Sequence, residues 1–378
     1  LKMNGLRHLI KSNFSYWIFL VLFGVIALVI GNICYQVISK LDTHFFLIHF
    51  NDLLSSISIT FFNNIIATIL AVIIAFLITN YLYNKKSFKS SFLIILISFP
   101  HISYCIGIIY LFATSGFFAR LFALFYGNDI PFISERGDTS SSLIYVISLA
   151  LREVPFLVLI GLSVLKKINA LQIQKQVLVL GHSNLSALLC CIFPIWLKSM
   201  TLPILIIVTF CFSNYEFSSI LGPQFPHMIN VKIIDSWYST NFNLARQMNS
   251  LIIITILSSI LALITLYTLM QILNGYLKNQ KFLGFGNYNL FLLGKIFYFI
   301  VIALFMIILF ITSLLSISES WFFPTIMPSS FSLRGFDYMV SNYLWLFFSS
   351  IFISSIISIL CLLFVVILIE TSDRKSVV

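Results

Sequence analysis

Apolar residues in this chain come in long unbroken blocks separated by short polar stretches, with neither the alternation of strands nor the one-sided stripe of soluble helices. A helix needs roughly 20 apolar residues to cross a ~30 Å hydrocarbon core. On that measure the pattern predicts eight spans, at 16–38, 57–82, 91–112, 142–165, 199–222, 250–273, 296–318 and 344–369. The expected fold class is an all-α polytopic membrane protein. The first block is too long, and too poorly followed by small residues, to read as a removable signal peptide.

Composition agrees. The 378 residues are 60% hydrophobic and 9% charged, with a mean hydropathy of +1.05. Soluble domains carry about 25% charged residues, which excludes an ordinary water-soluble fold. Six cysteines (Cys34, Cys105, Cys190, Cys191, Cys211 and Cys361) show no metal-ligand or C-x-x-C spacing, and most fall in spans where a thiol acts as a small hydrophobe. No disulfide framework, metal site or cofactor is expected.

Lys and Arg set the expected orientation. Lys2, Arg7, Lys11, Lys85, Lys86, Lys89, Lys166, Lys167, Lys175, Lys198, Lys278, Lys281, Lys295, Arg374 and Lys375 all fall on one side, and these are 15 of the 22 basic residues. The positive-inside rule places that side in the cytoplasm, with both termini and the 166–198 loop. The net charge of +10 follows from this asymmetry and forms no soluble basic face, so no nucleic-acid partner is expected.

The 166–198 loop is the longest polar segment on the basic side. Residues 170–180 (ALQIQKQVLVL) favour helix, with Ile173, Val177 and Leu180 on one face and Leu171 and Leu178 on another. Gly181 can take positive φ and turn the chain, Ser183 or Asn184 can cap the next helix, and Pro194 suits a break or a first turn. Gly181 and Pro194 lie thirteen residues apart. This layout resembles the cytoplasmic coupling loop of ATP-binding-cassette (ABC) importer permeases, whose pattern reads E-A-A-x3-G-x9-I-x-L-P. Gly181 and Pro194 fall on its Gly and Pro. Cys191 and Phe193 stand where it has Ile and Leu, and Lys175, Gln176 and Val177 where it has Glu, Ala and Ala. The segments 98–121, 151–162 (LREVPFLVLIGL), 214–223 (NYEFSSILGP) and 321–336 resemble large fused permeases of the thiamine-importer kind, related to iron(III) permeases.

The resemblance implies a type I importer transmembrane domain in a bacterial inner membrane. It implies a substrate path served by a separate ABC ATPase and a periplasmic substrate-binding protein, with no catalysis of its own. Residues 1–280 would form a complete six-span unit. Residues 281–378 would be the first two spans of a second, incomplete unit, since no second loop of this kind follows Lys281. A faint gapless match of 57–79 to 343–365 agrees with such a repeat. The chain would then need a second permease unit, supplied by the missing spans or by another copy.

Charges inside spans mark either packing pairs or a path. Arg152 and Glu153 fall in mid-span with Pro155 just after them, and Glu216 falls in the outer half of the next span. One reading is a buried Arg152–Glu216 pair that fixes helix packing; the other sets Glu153 or Glu216 on the path, facing a cationic substrate. His101, after Pro100, is a packing histidine or a path residue. The external segment 223–249 has the composition of a short interfacial helix or a filled loop. No phosphate-binding loop occurs: Gly294-Lys295 has Asn289 where the first glycine would be. An ion-coupled secondary transporter using Arg152, Glu153 and Glu216 as a relay, and a non-transport membrane protein or degraded permease remnant, stand as the alternatives.

Overall fold

The computed structural model describes residues 31–32, 35, 50–85, 91–113, 115–126, 139–240, 242–279 and 290–375. Nearly all of them are helical. In chain order the helices are α1 (Phe50–Asn84), α2 (Ser91–Ile97), α3 (His101–Phe112), α4 (Phe117–Tyr126), α5 (Thr139–Lys167), α6 (Ala170–Val179), α7 (Asn184–Ser199), α8 (Thr201–Ser213), α9 (Tyr215–Ile220), α10 (Ile229–Tyr238), α11 (Phe242–Asn279), α12 (Leu290–Ile317) and α13 (Arg334–Lys375). A two-stranded pairing of β1 (Ser318–Ser320) with β2 (Ser330–Phe331) follows α12, anchored where Ser329 N–H donates to the Ser320 carbonyl at 3.0 Å.

Among the described residues six stretches are long and apolar enough to cross a membrane: Asn51–Asn84, His101–Phe125 (running over α3 and α4), Ser142–Lys167, Met248–Leu277, Leu290–Ile317 and Arg334–Ile367. A bent pair, Asn184–Ser199 with Thr201–Ser213, brings the number to as many as seven. The chain is therefore an all-α polytopic membrane protein. The predicted span 16–38 lies almost wholly outside the described residues.

Two predicted spans are redrawn, each for a backbone reason. The 91–112 block is broken at 98–100, and its long apolar run is His101–Phe125. Pro100 disfavours helical φ/ψ at Phe99, so α2 stops at Ile97 and a new helix starts behind the proline. The 199–222 block opens at a 61° bend, where α7 (Asn184–Ser199) gives way to α8 (Thr201–Ser213) at Met200. Pro203 has no N–H to offer the Ser199 carbonyl one turn back, which frees the chain to turn there. The second piece ends at Asn214, whose side chain caps α9 by accepting from Phe217 N–H at 3.1 Å.

Contacts divide the chain at 330/331 into a unit Leu41–Ser330 and a second comprising Leu1–Lys40 and Phe331–Val378. The first is built around α1 against α5. Ala67, Ala71 and Ala75, at four-residue spacing on α1, are all but fully buried, as small residues are where membrane helices approach closely. Threonines in α1 return their hydroxyls to their own helix, Thr68 to the Asn64 carbonyl and Thr79 to that of Ala75, so they enter the core without an unpaired proton.

α12 belongs to this same unit. Val301, Phe305, Ile308 and Ile311 lie in the main core with residues of α1, α3 and α5. Two glycines permit the approach: Gly107 on α3 meets the side chain of Ile308, and Gly294 on α12 meets the Leu77 carbonyl and Tyr81. The sequence boundary at 280 falls outside the described residues, while contacts divide at 330/331. A methyl group at Gly294 would strike main chain that cannot rotate away. Gly294→Ala is expected to cost about 1–3 kcal/mol by overpacking, read as a lower thermal midpoint in detergent. Gly275→Ala in α11, with open space around it, should be neutral or slightly stabilising.

The described part of the second unit is chiefly α13. Its serines bond back to their own helix, Ser350 to the Leu346 carbonyl and Ser358 to that of Ser354. Large apolar side chains such as Trp345, Phe352 and Leu362 are exposed, as on a lipid-facing helix.

Candidate functional site

Two places carry the residues singled out from sequence, both within Leu41–Ser330. The first is the helical hairpin α6–α7. Asn169 starts it in a left-handed conformation (φ 51°), and α6 ends in a paired glycine turn. Gly181 has φ +84° and donates to the Leu178 carbonyl at 3.0 Å, while His182 N–H reaches the Val177 carbonyl at 3.3 Å. These two bonds satisfy carbonyls that the helix end would otherwise leave bare. Ser183 then caps α7 by accepting from Ser186 N–H at 3.2 Å. Gln174 on α6 donates from its side-chain amide to Asn184 on α7, bracing the two arms.

Side chains on the hairpin sort cleanly. Val177 is buried, whereas Lys175 and Gln176 are exposed. The tip is apolar and open: Val179 is 86% and Leu180 73% exposed. Pro194 is buried inside α7, in the first turn that follows a π-helical stretch at Ala187–Ile192, and the helix runs on through it. The register Lys175–Gln176–Val177 therefore splits, two residues facing outward and one inward.

The second place lies where the helices break. Arg152, on α5 and only 5% exposed, donates through one terminal nitrogen to the carbonyls of Ile97 (3.0 Å) and Phe99 (2.8 Å). Those carbonyls are left without helical partners by the break at 98–100. Arg152 thus ties the broken helix to α5. Its partners are main-chain carbonyls, and no ion pair to Glu216 forms among the described residues. Its Nε is enclosed without a partner.

His101 opens α3 just past the break, half-buried, with Nδ1 enclosed and unpaired. Its ring packs 5.3 Å from Phe210 of α8 and 6.3 Å from Phe217 of α9. Glu216, in the first turn of α9, is half-buried and lies within electrostatic range of His101, as does Arg152. Glu153 is buried and within electrostatic range of Tyr104 and Cys211 instead. The fold brings His101, Arg152 and Glu216 into one neighbourhood and sets Glu153 on its inner side. Polar groups gathered at interrupted helices are the arrangement in which membrane proteins hold or pass solutes.

Further bonds from neighbouring helices support this place. Tyr145 donates to Asn64 at 2.8 Å and Tyr104 to the Ser148 carbonyl at 3.2 Å. The Ile229 N–H at the start of α10 donates to Thr60 at 3.1 Å, and Asn230 to the Asn214 carbonyl at 3.0 Å. These bonds pin α9 and α10 to α1. A tyrosine in an apolar block gave no signal, although buried Tyr hydroxyls ordinarily find a partner. The segment 223–249 does contain a helix, α10, with Trp237 and Tyr238 exposed. Among the described residues no group of three His, Cys, Asp or Glu is placed to hold a metal ion.

Comparison with protein-family models finds none that matches the chain, and comparison with curated proteins finds no match either.

Proposed function

We propose that this chain is the membrane-spanning permease subunit of a type I ABC importer, forming a substrate path and coupling to a separate ATPase. The observation that carries the proposal is the α6–Gly181–α7 hairpin. It is a braced, doubly capped helical turn with an exposed apolar tip, on the side where Lys and Arg concentrate. Such a body can transmit a push from a partner without bending, because its helix ends and its arms are internally tied. Small solutes of the thiamine or iron(III) kind are the substrates that the sequence resemblance suggests, delivered by a periplasmic binding protein. An ion-coupled relay is less favoured, since Arg152 spends its hydrogen bonds on main-chain carbonyls.

The test is capture. With Val179→Cys at the exposed tip and a short thiol crosslinker, membranes co-expressing an ABC ATPase of the same organism should yield a permease–ATPase adduct whose amount changes with ATP. No adduct from the tip, with normal adducts elsewhere on the ATPase, would remove the proposal. Orientation is tested separately. Reporter fusions after Lys175 and after Arg374 should both report the cytoplasm, and a periplasmic signal at either site contradicts the assigned topology.

A further inference from the structure

Arg120 holds together a surface that the transport reading does not use. It sits on α4, only 5% exposed, and its guanidinium donates to main-chain oxygens. Nε donates to the Ser115 carbonyl at 2.8 Å, one terminal nitrogen to the carbonyls of Thr325 (2.6 Å) and Phe322 (3.3 Å), and the other to that of Trp321 (3.4 Å). Its guanidinium also lies 4.9 Å from the Trp321 ring, which stacks on Tyr110. Trp321 Nε1 donates to the Thr325 carbonyl at 3.1 Å, and Thr325 N–H to that of Phe322 at 3.1 Å. In the 321–327 loop beyond α12 the Trp321, Phe322 and Thr325 carbonyls are therefore turned inward. Its side chains turn the other way: Phe322 is 73%, Phe323 39% and Met327 55% exposed.

We propose that this loop is a membrane anchor seated in the phospholipid headgroup layer, with Arg120 as the residue that makes it compatible with that depth. Two observations point to lipid as the occupant. The exposed aromatic face continues the lipid-facing surface of α12, on which Phe299, Met306 and Phe310 are exposed. In addition, irregular backbone meets hydrocarbon only where its polar groups are satisfied within the protein, and the bonds from Arg120 to the Trp321, Phe322 and Thr325 carbonyls let this turn sit at the boundary between headgroups and hydrocarbon. Tryptophan and tyrosine gather at this level of membrane proteins because their rings are amphipathic, and Trp321 stacks on Tyr110 here beside the outward Phe322 and Phe323. A water-exposed loop would need neither the buried cation nor the outward phenylalanines.

The experiment uses the full chain in phosphatidylethanolamine–phosphatidylglycerol vesicles. Benzoylphenylalanine placed at Phe322 should, on illumination, give a phospholipid adduct several-fold more abundant than the same group at Asp235, an exposed acid on α10. Adding Arg120→Ala should lower the Phe322 adduct several-fold. Independently, brominated phospholipid should quench the part of the emission lost in Trp321→Phe, which requires no unnatural residue. Equal adducts at 322 and 235, a protein–protein adduct in place of lipid, or no bromolipid quenching assigned to Trp321 would each overturn the anchor.

Discussion

If the chain is the importer permease proposed above, Gly181→Val is expected to abolish ATP-driven uptake and ATPase co-purification while leaving the protein in the membrane. The position has open space around it, so no clash is involved. The penalty is conformational: at φ +84° a β-branched residue is strongly disfavoured, with strain of about 1–3 kcal/mol. The chain relieves that strain by giving up the Gly181 and His182 bonds to the last turn of α6, and the tip loses its fixed direction. Loss of even ~1.4 kcal/mol of docking energy would weaken ATPase binding tenfold. Gly181→Asn provides the control, because Asn tolerates left-handed backbone and should keep most activity. Parental uptake by the valine variant, with its ATPase bound, would mean that the hairpin is not the coupling element.

Arg152→Leu should produce the largest loss of stability of any single change considered. Removing the guanidinium leaves the part-buried Ile97 and Phe99 carbonyls without their donor, and each acceptor left unpaired costs about 1–3 kcal/mol. Arg152→Lys should recover only part of this, since a compact ammonium does not take the place of the larger planar guanidinium. The measurement is the thermal midpoint and monodisperse yield in detergent, alongside uptake. A leucine variant as stable as the parent but unable to transport would make Arg152 a path residue rather than the tie across the break.

What sequence reveals about this molecule divides along a physical line. Crossing a bilayer demands sustained apolarity, so Ser142–Lys167, Met248–Leu277 and Leu290–Ile317 appear in the sequence nearly where they lie in the fold. The Gly181 turn and the Ser183 cap are local, each fixed by a residue type that few others replace, and they too were legible. Breaks inside apolar blocks were not. Pro100, Pro203 and Asn214 are visible as letters, but apolar averaging runs across them, and a proline mid-helix need not break it: Pro155 sits inside an uninterrupted α5. The candidate interior site suffered for the same reason. The bonds from Arg152 to Ile97 and Phe99 cross more than fifty positions and end on carbonyls, which every residue has. The hold of Arg120 on the 321–325 turn is of the same kind and equally silent.

Because Val301, Phe305, Ile308 and Ile311 complete the main core, the order of synthesis has a physical cost. Until residues 290–317 leave the ribosome, α1, α3 and α5 stand in the membrane with a trench where α12 will lie, floored by the Leu77 carbonyl that later receives Gly294. A protein of this build therefore closes its interior late and sideways, by a helix joining from the bilayer rather than by collapse in water.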